Sequence, residues 1–193
     1  MDIRTILVIL HVIGTALGVG AATVSDYLFF KFTKDGKIDK HEFRILHIVS
    51  DIVWAGLLLL LLSGFGFVLL YVSQHESALR AYNMDKIAAK LTIVIILLCN
   101  GFVLHRRVLP LFEKRLGKPF ATPSFIAKSP LIFSAGALSA ASWYTTLILG
   151  AWRGLDASYM QIMLGYAAIV LIGMLIANIG GRSFLMSQTS KRK

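Results

Sequence analysis

Histidine and a few charged neighbours are the residues of this chain whose types and spacing could do chemistry. His47 follows Arg44 by three residues, and His105 directly precedes Arg106. Asp51 follows His47 by four residues, on one helical face, and Asp26 closes the first long apolar run at the same end. Two imidazoles from facing helices at one depth are what a six-coordinate haem b requires. A carboxylate on the second ring nitrogen orients such an imidazole and raises its basicity. His47 and His105 are therefore expected iron ligands, with Asp26 and Asp51 behind them. A second pair stands at the other end. His11 lies seven residues past Arg4, about 10 Å along a helix. Lys90 lies four residues past Lys86, about 6 Å along. His11 is a third expected haem-iron ligand. Lys90 is a natural partner for a porphyrin propionate, because a half-buried ammonium favours an anion.

These residues need elements to position them, and composition names the kind. Of 193 residues, 56% are hydrophobic and 16% charged, with a mean hydropathy of +0.72. Soluble domains carry about 25% charged residues. A disordered, fibrous or ordinary soluble chain is excluded. Four runs free of Asp, Glu, Lys and Arg, at 6–25, 52–72, 129–152 and 158–181, are long enough to span a bilayer, which takes about 20 apolar residues. A fifth, 91–104, reaches span length if Lys90 and the His105–Arg107 cluster snorkel at its ends. Barrel-type alternation is absent, so helices are the remaining solution. The expected fold is all-α: a polytopic membrane bundle of five transmembrane helices at about 5–30, 45–72, 87–109, 129–152 and 157–181, forming a single domain over 1–193. The first run is too long for a signal-peptide core of about 7–15 residues and reads as a span. The single cysteine, Cys99, excludes a disulfide framework and a cysteine zinc cluster.

The net charge of +10 is read as topology. Lys31, Lys34, Lys37, Lys40 and Arg44 share one side with Arg106, Arg107, Lys114, Arg115, Lys118, Lys128, Arg182, Lys191, Arg192 and Lys193. Arg4, Arg80, Lys86 and Arg153 fall on the other. The positive-inside rule then expects the N-terminus outside and the C-terminus in the cytoplasm of a bacterial-type inner membrane. The lipid bilayer is the expected partner, with affinity for anionic lipid. No base-reading motif is present, so the basic balance is not a nucleic-acid signature. The stretch 106–128, with Pro110, Phe112, Phe120 and Pro123, is expected along the inner membrane surface.

Three further patterns have competing readings. His11, Gly14, Thr15, Gly18, Ala22 and Ser25 form one stripe of the first helix, with Gly14, Gly18 and Ala22 as small packing positions. It serves either close helix packing or a slot for a flat cofactor. Gly136, Ser139, Ala140 and Trp143 repeat the pattern in the fourth helix. Asp35-Gly36-Lys37-Ile38-Asp39 with Glu42 imitates half an EF-hand, but Lys31 would hold its first ligand position, so a polar turn before a helix near Lys40 is expected. Met84, Met160 and Met163 with His75 form a thioether-rich set that suits Cu(I). His41 and His75 are otherwise loop residues. No phosphate loop, nucleophile elbow or HExxH motif occurs.

The opening Ile6-Leu7-Val8-Ile9-Leu10-His11-Val12-Ile13-Gly14, with Gly18 and Gly20, resembles the first helix of the CopD-like integral membrane family. A later helix with a lysine near its start and Leu104-His105-Arg106-Arg107-Val108-Leu109-Pro110 at its end extends the resemblance over roughly the first 110 residues. In CopD proteins that end is usually asparagine-arginine before a proline; here histidine stands for the asparagine. The same pattern is similar, more weakly, to HemJ-type protoporphyrinogen oxidases, which carry a histidine in the first helix and a lysine in a later one, as His11 and Lys90 do here. The resemblances imply copper handling in the first case and porphyrinogen oxidation in the second. The leading expectation remains a membrane protein that binds haem b between helices, passes electrons or senses redox state, and works with a membrane redox partner. A cofactor-free structural role is the plainest alternative.

Overall fold

The computed structural model describes residues 2–73, 83–119 and 122–190, with side chains to 187. Every regular element among them is helical. Helix α1 spans Ile3–Phe32 and ends in a 3-10 turn, Thr33–Asp35. Helix α2 spans Lys40–Ser73 and α3 spans Met84–Val103. A π turn, Leu104–Val108, joins α3 to α4, Leu109–Glu113. Helix α5 is Pro123–Ile126, α6 is Ser129–Ala151 and α7 is Tyr159–Ser190. Five of the helical spans are long and apolar enough to cross a membrane.

Local chemistry moves several boundaries beyond the apolar runs. Helix α2 begins at Lys40 because Asp39 and Glu42 form a capping box. The Glu42 amide donates to Asp39 Oδ1 at 2.7 Å, and the Asp39 amide donates to Glu42 Oε2 at 2.9 Å. The EF-hand look-alike is thereby spent on backbone: Asp35 Oδ1 accepts from the Lys37 amide, and Gly36 adopts a left-handed φ of 81° after the 3-10 turn. Helix α3 starts at Met84, earlier than 87, because Asn83 accepts from the Lys86 amide at 3.0 Å. Its far end runs through Pro110 to Glu113. Proline removes a donor and crowds the preceding turn, and the chain widens locally to π geometry just before it.

Helices α1, α2, α3 and α6 surround a common core. Leu57 of α2, Leu97 of α3 and Trp143 of α6 pack together with Val19 and Ala22 of α1. Helix α7 packs against α6 and α3, burying Ile162, Tyr166 and Val170 against Ala89, Ile93 and Leu149. The least hydropathic span, that of α6, is the most buried. It also carries polar links to three neighbours. Asn100 of α3 donates to the Ala135 carbonyl at 2.9 Å. Ser142 hydrogen-bonds Tyr166 of α7 at 2.8 Å, and Tyr144 hydrogen-bonds Thr23 of α1 at 2.9 Å. Such links average about 0.6 kcal/mol in a membrane interior, so they fix register more than they supply stability.

Part of the stretch expected along the membrane surface packs against the bundle. Phe112 and Phe125 are buried, and Phe112 meets both Phe29 and Phe125 edge-on with centroids 5.5 Å apart. The loop before α2 joins them: Ile38 is fully buried in the same cluster, and its carbonyl accepts from the Gly117 amide at 2.8 Å. Gly117 has φ +70°, a conformation that favours glycine. Phe120 lies outside the described residues.

Helices α1 and α2 touch backbone to backbone. A Cβ placed on Gly56 would stand 2.5 Å from the Gly18 nitrogen and 2.9 Å from the Gly14 carbonyl oxygen. Neither atom belongs to a side chain that could swing away. Gly64, on the same helix, has no neighbour within 4 Å of that point. Gly56→Ala is therefore expected to lose about 1–3 kcal/mol by overpacking, and Gly64→Ala to hold or gain slightly. Thermal unfolding of both variants in detergent checks this; equal midpoints would contradict the crossing.

Candidate functional site

Two polar constellations stand at opposite ends of the bundle. The first occupies a groove between α2 and the α3–α4 junction at the end where the basic loops gather. Lys40, Phe43, Arg44 and His47 line it from α2; their spacing of three, four and seven residues is one helical face. His105, Leu109, Pro110 and Glu113 line the opposite wall of this open groove, whose volume is about 480 Å³.

The imidazoles of His47 and His105 face each other with centroids 5.7 Å apart and planes inclined by 31°. Phe43 lies beside His47 at 5.8 Å and 30°. His105 is the second residue of the π turn, and Pro110 follows the turn in α4. Both histidines are exposed to the groove.

The two carboxylates expected behind these histidines do not bond to them. Asp51 is exposed and Asp26 half-buried, and among the described residues neither makes a hydrogen bond to His47 or His105. Their spacing put them at the right level. The side-chain directions, set by how α1 and α2 cross, could not be read from it.

The second constellation lies at the other end. His11 Nδ1 is 2.9 Å from Ser63 Oγ, and its ring meets Phe67 edge-on at 5.8 Å. Ser63 is 1% exposed and donates its own proton to the Leu59 carbonyl at 2.6 Å. With that proton committed, Ser63 Oγ can only accept from His11, so Nδ1 carries the hydrogen. The ring is held in one tautomer and one orientation, with Nε2 left as acceptor. Lys90 of α3 is half-buried. Lys86, one turn before it, donates from Nζ to the Trp152 carbonyl at the end of α6.

His11 was expected as a third iron ligand, and distance separates it from the other two. Its partner Ser63 lies sixteen residues beyond His47 along α2, about 24 Å. One iron cannot be shared between the ends. The small-residue stripe below His11 is filled by protein: Gly14 and Gly18 are buried, Gly14 against Gly56, Leu59 and Leu60, and Gly18 against Trp143. No flat slot remains there. The matching stripe in α6 behaves differently, since nothing lies within 4 Å of a Cβ at Gly136.

The described members of the thioether set differ in burial. Met160 is 62% exposed, whereas Met163 packs into the core shared by α3, α6 and α7. Met84 is exposed at the start of α3, and His75 lies outside the described residues. Among the described residues no three His, Cys, Asp or Glu side chains gather as a metal-binding group. The groove's outer lining of Lys40, Arg44 and Glu113 escaped the sequence reading, although the three-four-seven spacing before His47 carries it.

No family model matches the chain, and no curated protein or solved structure matches it.

The Ser63–His11 bond is testable alone. Ser63→Ala leaves the imidazole N–H unpaired at a partly buried position, an expected loss of about 1–3 kcal/mol. In a His11→Leu background the same change is expected to cost much less, a coupling of about 1 kcal/mol or more. A double-mutant cycle of unfolding in detergent checks it; additive effects would contradict the bond.

Proposed function

We propose that this is a multi-pass inner-membrane protein that binds one haem b in the groove between α2 and α3, for electron transfer or redox sensing. His47 and His105 would hold its iron. The facing of these imidazoles at 5.7 Å carries the reading. No third protein ligand accompanies them among the described residues. A bare transition-metal ion held by two imidazoles lacks half a tetrahedral shell, whereas a porphyrin brings four nitrogens and needs two ligands from protein.

The other lining residues fit the same cofactor. A space of about 480 Å³ lies within the range of about 300–1,000 Å³ usual for ligand sites. Lys40 and Arg44 stand on the face of α2 that carries His47 and can pair with propionates, Arg44 with two parallel hydrogen bonds. Phe43, Leu109 and Pro110 offer apolar wall to a macrocycle. Bound haem supplies one-electron chemistry; the chain's residues hold it, orient it and set its exposure. The charge asymmetry of the loops supports an outside N-terminus and a cytoplasmic C-terminus. The groove then opens at the cytoplasmic face, and a redox partner would meet it from that side or within the inner leaflet.

The protein expressed with excess haem and purified in detergent is expected to show a sharp α-band on reduction. His47→Ala and His105→Ala should each abolish it, and His11→Ala should retain it. A featureless spectrum of the unmodified protein would overturn the proposal.

A further inference from the structure

At the end where the basic loops gather, one cation is partnered by hydroxyls rather than by an acid. Arg115 stands half-buried in the turn after α4, and no ion pair joins it to an Asp or Glu among the described residues. Its Nη1 donates to Thr122 Oγ1 at 2.6 Å, and its Nη2 donates to Ser124 Oγ at 2.6 Å. The guanidinium also lies 5.7 Å from the centroid of the buried Phe125 ring. Backbone hydrogen bonds hold all three residues in place. The Arg115 amide donates to the Phe112 carbonyl and the Lys118 amide to the Arg115 carbonyl, both at 2.9 Å. The Thr122 carbonyl accepts from the Phe125 and Ile126 amides at 3.0 and 2.9 Å.

The donors of this trio exceed its internal needs. A guanidinium has five N–H donors, and two of them are spent on the hydroxyls. A hydroxyl that accepts from a guanidinium turns its own hydrogen elsewhere. The two hydroxyl oxygens are 3.5 Å apart, so at most one of those hydrogens goes to its neighbour. A positive charge, unspent N–H groups and a free O–H call for an anion whose oxygens only accept. Place in the fold narrows the choice. Thr122 and Ser124 flank the first residue of the span Pro123–Ala151. The headgroup layer begins at such a level and extends about 5–7 Å from the hydrocarbon, and the oxyanions there are phospholipid phosphates. Ser124 is exposed, which leaves the trio accessible, and Lys114, Lys118 and Lys128 are exposed on the same stretch. Their charge favours a lipid that is negative overall.

We infer that Arg115, Thr122 and Ser124 form a phosphate-binding site filled by the headgroup of an anionic phospholipid, the guanidinium and the hydroxyls donating to its unesterified oxygens. Inorganic phosphate shares this chemistry. The site rests on the membrane-spanning character of the chain and not on haem.

Native mass spectrometry of the protein in uncharged detergent tests this, with dioleoyl phosphatidylglycerol, dioleoyl phosphatidylcholine and inorganic phosphate as probes. One phosphatidylglycerol is expected to bind saturably, and more tightly than phosphatidylcholine. Arg115→Met should weaken it at least about tenfold, through lost hydrogen bonds to a charged group. The double change Thr122→Val, Ser124→Ala conserves every charge and should still weaken it at least about threefold. Lys114→Met should weaken it much less than Arg115→Met. Saturable, Arg115-dependent binding of inorganic phosphate without lipid binding would keep the phosphate site and name free phosphate as its occupant. No saturable binding of any probe, or equal affinity for the two lipids, would overturn the inference. So would equal losses in Lys114→Met and Arg115→Met, or full affinity in the hydroxyl variant, since either leaves only diffuse charge. Should Arg115→Met fail to fold, the hydroxyl variant decides alone. Its reduced haem α-band should match that of the parent, so either proposal can fail without the other.

Discussion

The bundle depends on one close approach: the backbones of α1 and α2 meet at Gly14, Gly18 and Gly56, and the indole of Trp143 covers Gly18 from α6. Within a bilayer, lipid is as apolar as any leucine, so helices gain little by hiding hydrophobic surface from it. What holds them is contact area, and contact area grows when small residues let backbones close in. Trp143, 1% exposed, then fills the space beside Gly18. The same packing aligns His11 with Ser63 above the crossing and carries α2 down toward its groove below.

The two polar ends are built by different means. At the His11 end, a buried serine fixes an imidazole through hydrogen bonds whose donors and acceptors are fully accounted for. At the groove end nothing bonds His47 or His105 into place among the described residues. Their orientation comes from backbone instead, from the register of α2 and from the π turn ahead of Pro110. An imidazole pair left free of internal partners is available to a ligand from outside. The aromatic cluster of Phe29, Phe112 and Phe125, closed by the Ile38–Gly117 hydrogen bond, braces the loops on either side of that groove.

Much of the architecture was legible in the sequence because bilayer physics leaves few choices. Charge-free runs marked the spans, and the lysine at the first ligand position of the false EF-hand marked a turn that serves as a helix cap. The level of His47 with His105 could be counted from arginines. Other features needed the third dimension. Pro110 reads as a helix terminator, yet the helix widens and continues. Phe112 read as part of a membrane-surface pattern, yet it packs inward in the cluster that Ile38 joins. Asp26 and Asp51 fall at the right depth, but depth says nothing about rotation around the bundle axis. The glycine stripe left packing and a cofactor slot both open until its neighbours were known.

The central claim is that one iron binds between His47 and His105. Low-temperature electron paramagnetic resonance of the oxidised, haem-loaded protein tests it directly, because the signal reports the axial ligands. A low-spin ferric signal of a bis-imidazole centre is expected, converting to high-spin in His47→Ala and in His105→Ala alike. An unchanged low-spin signal in the His47→Ala, His105→Ala double variant would place the iron elsewhere and contradict the account.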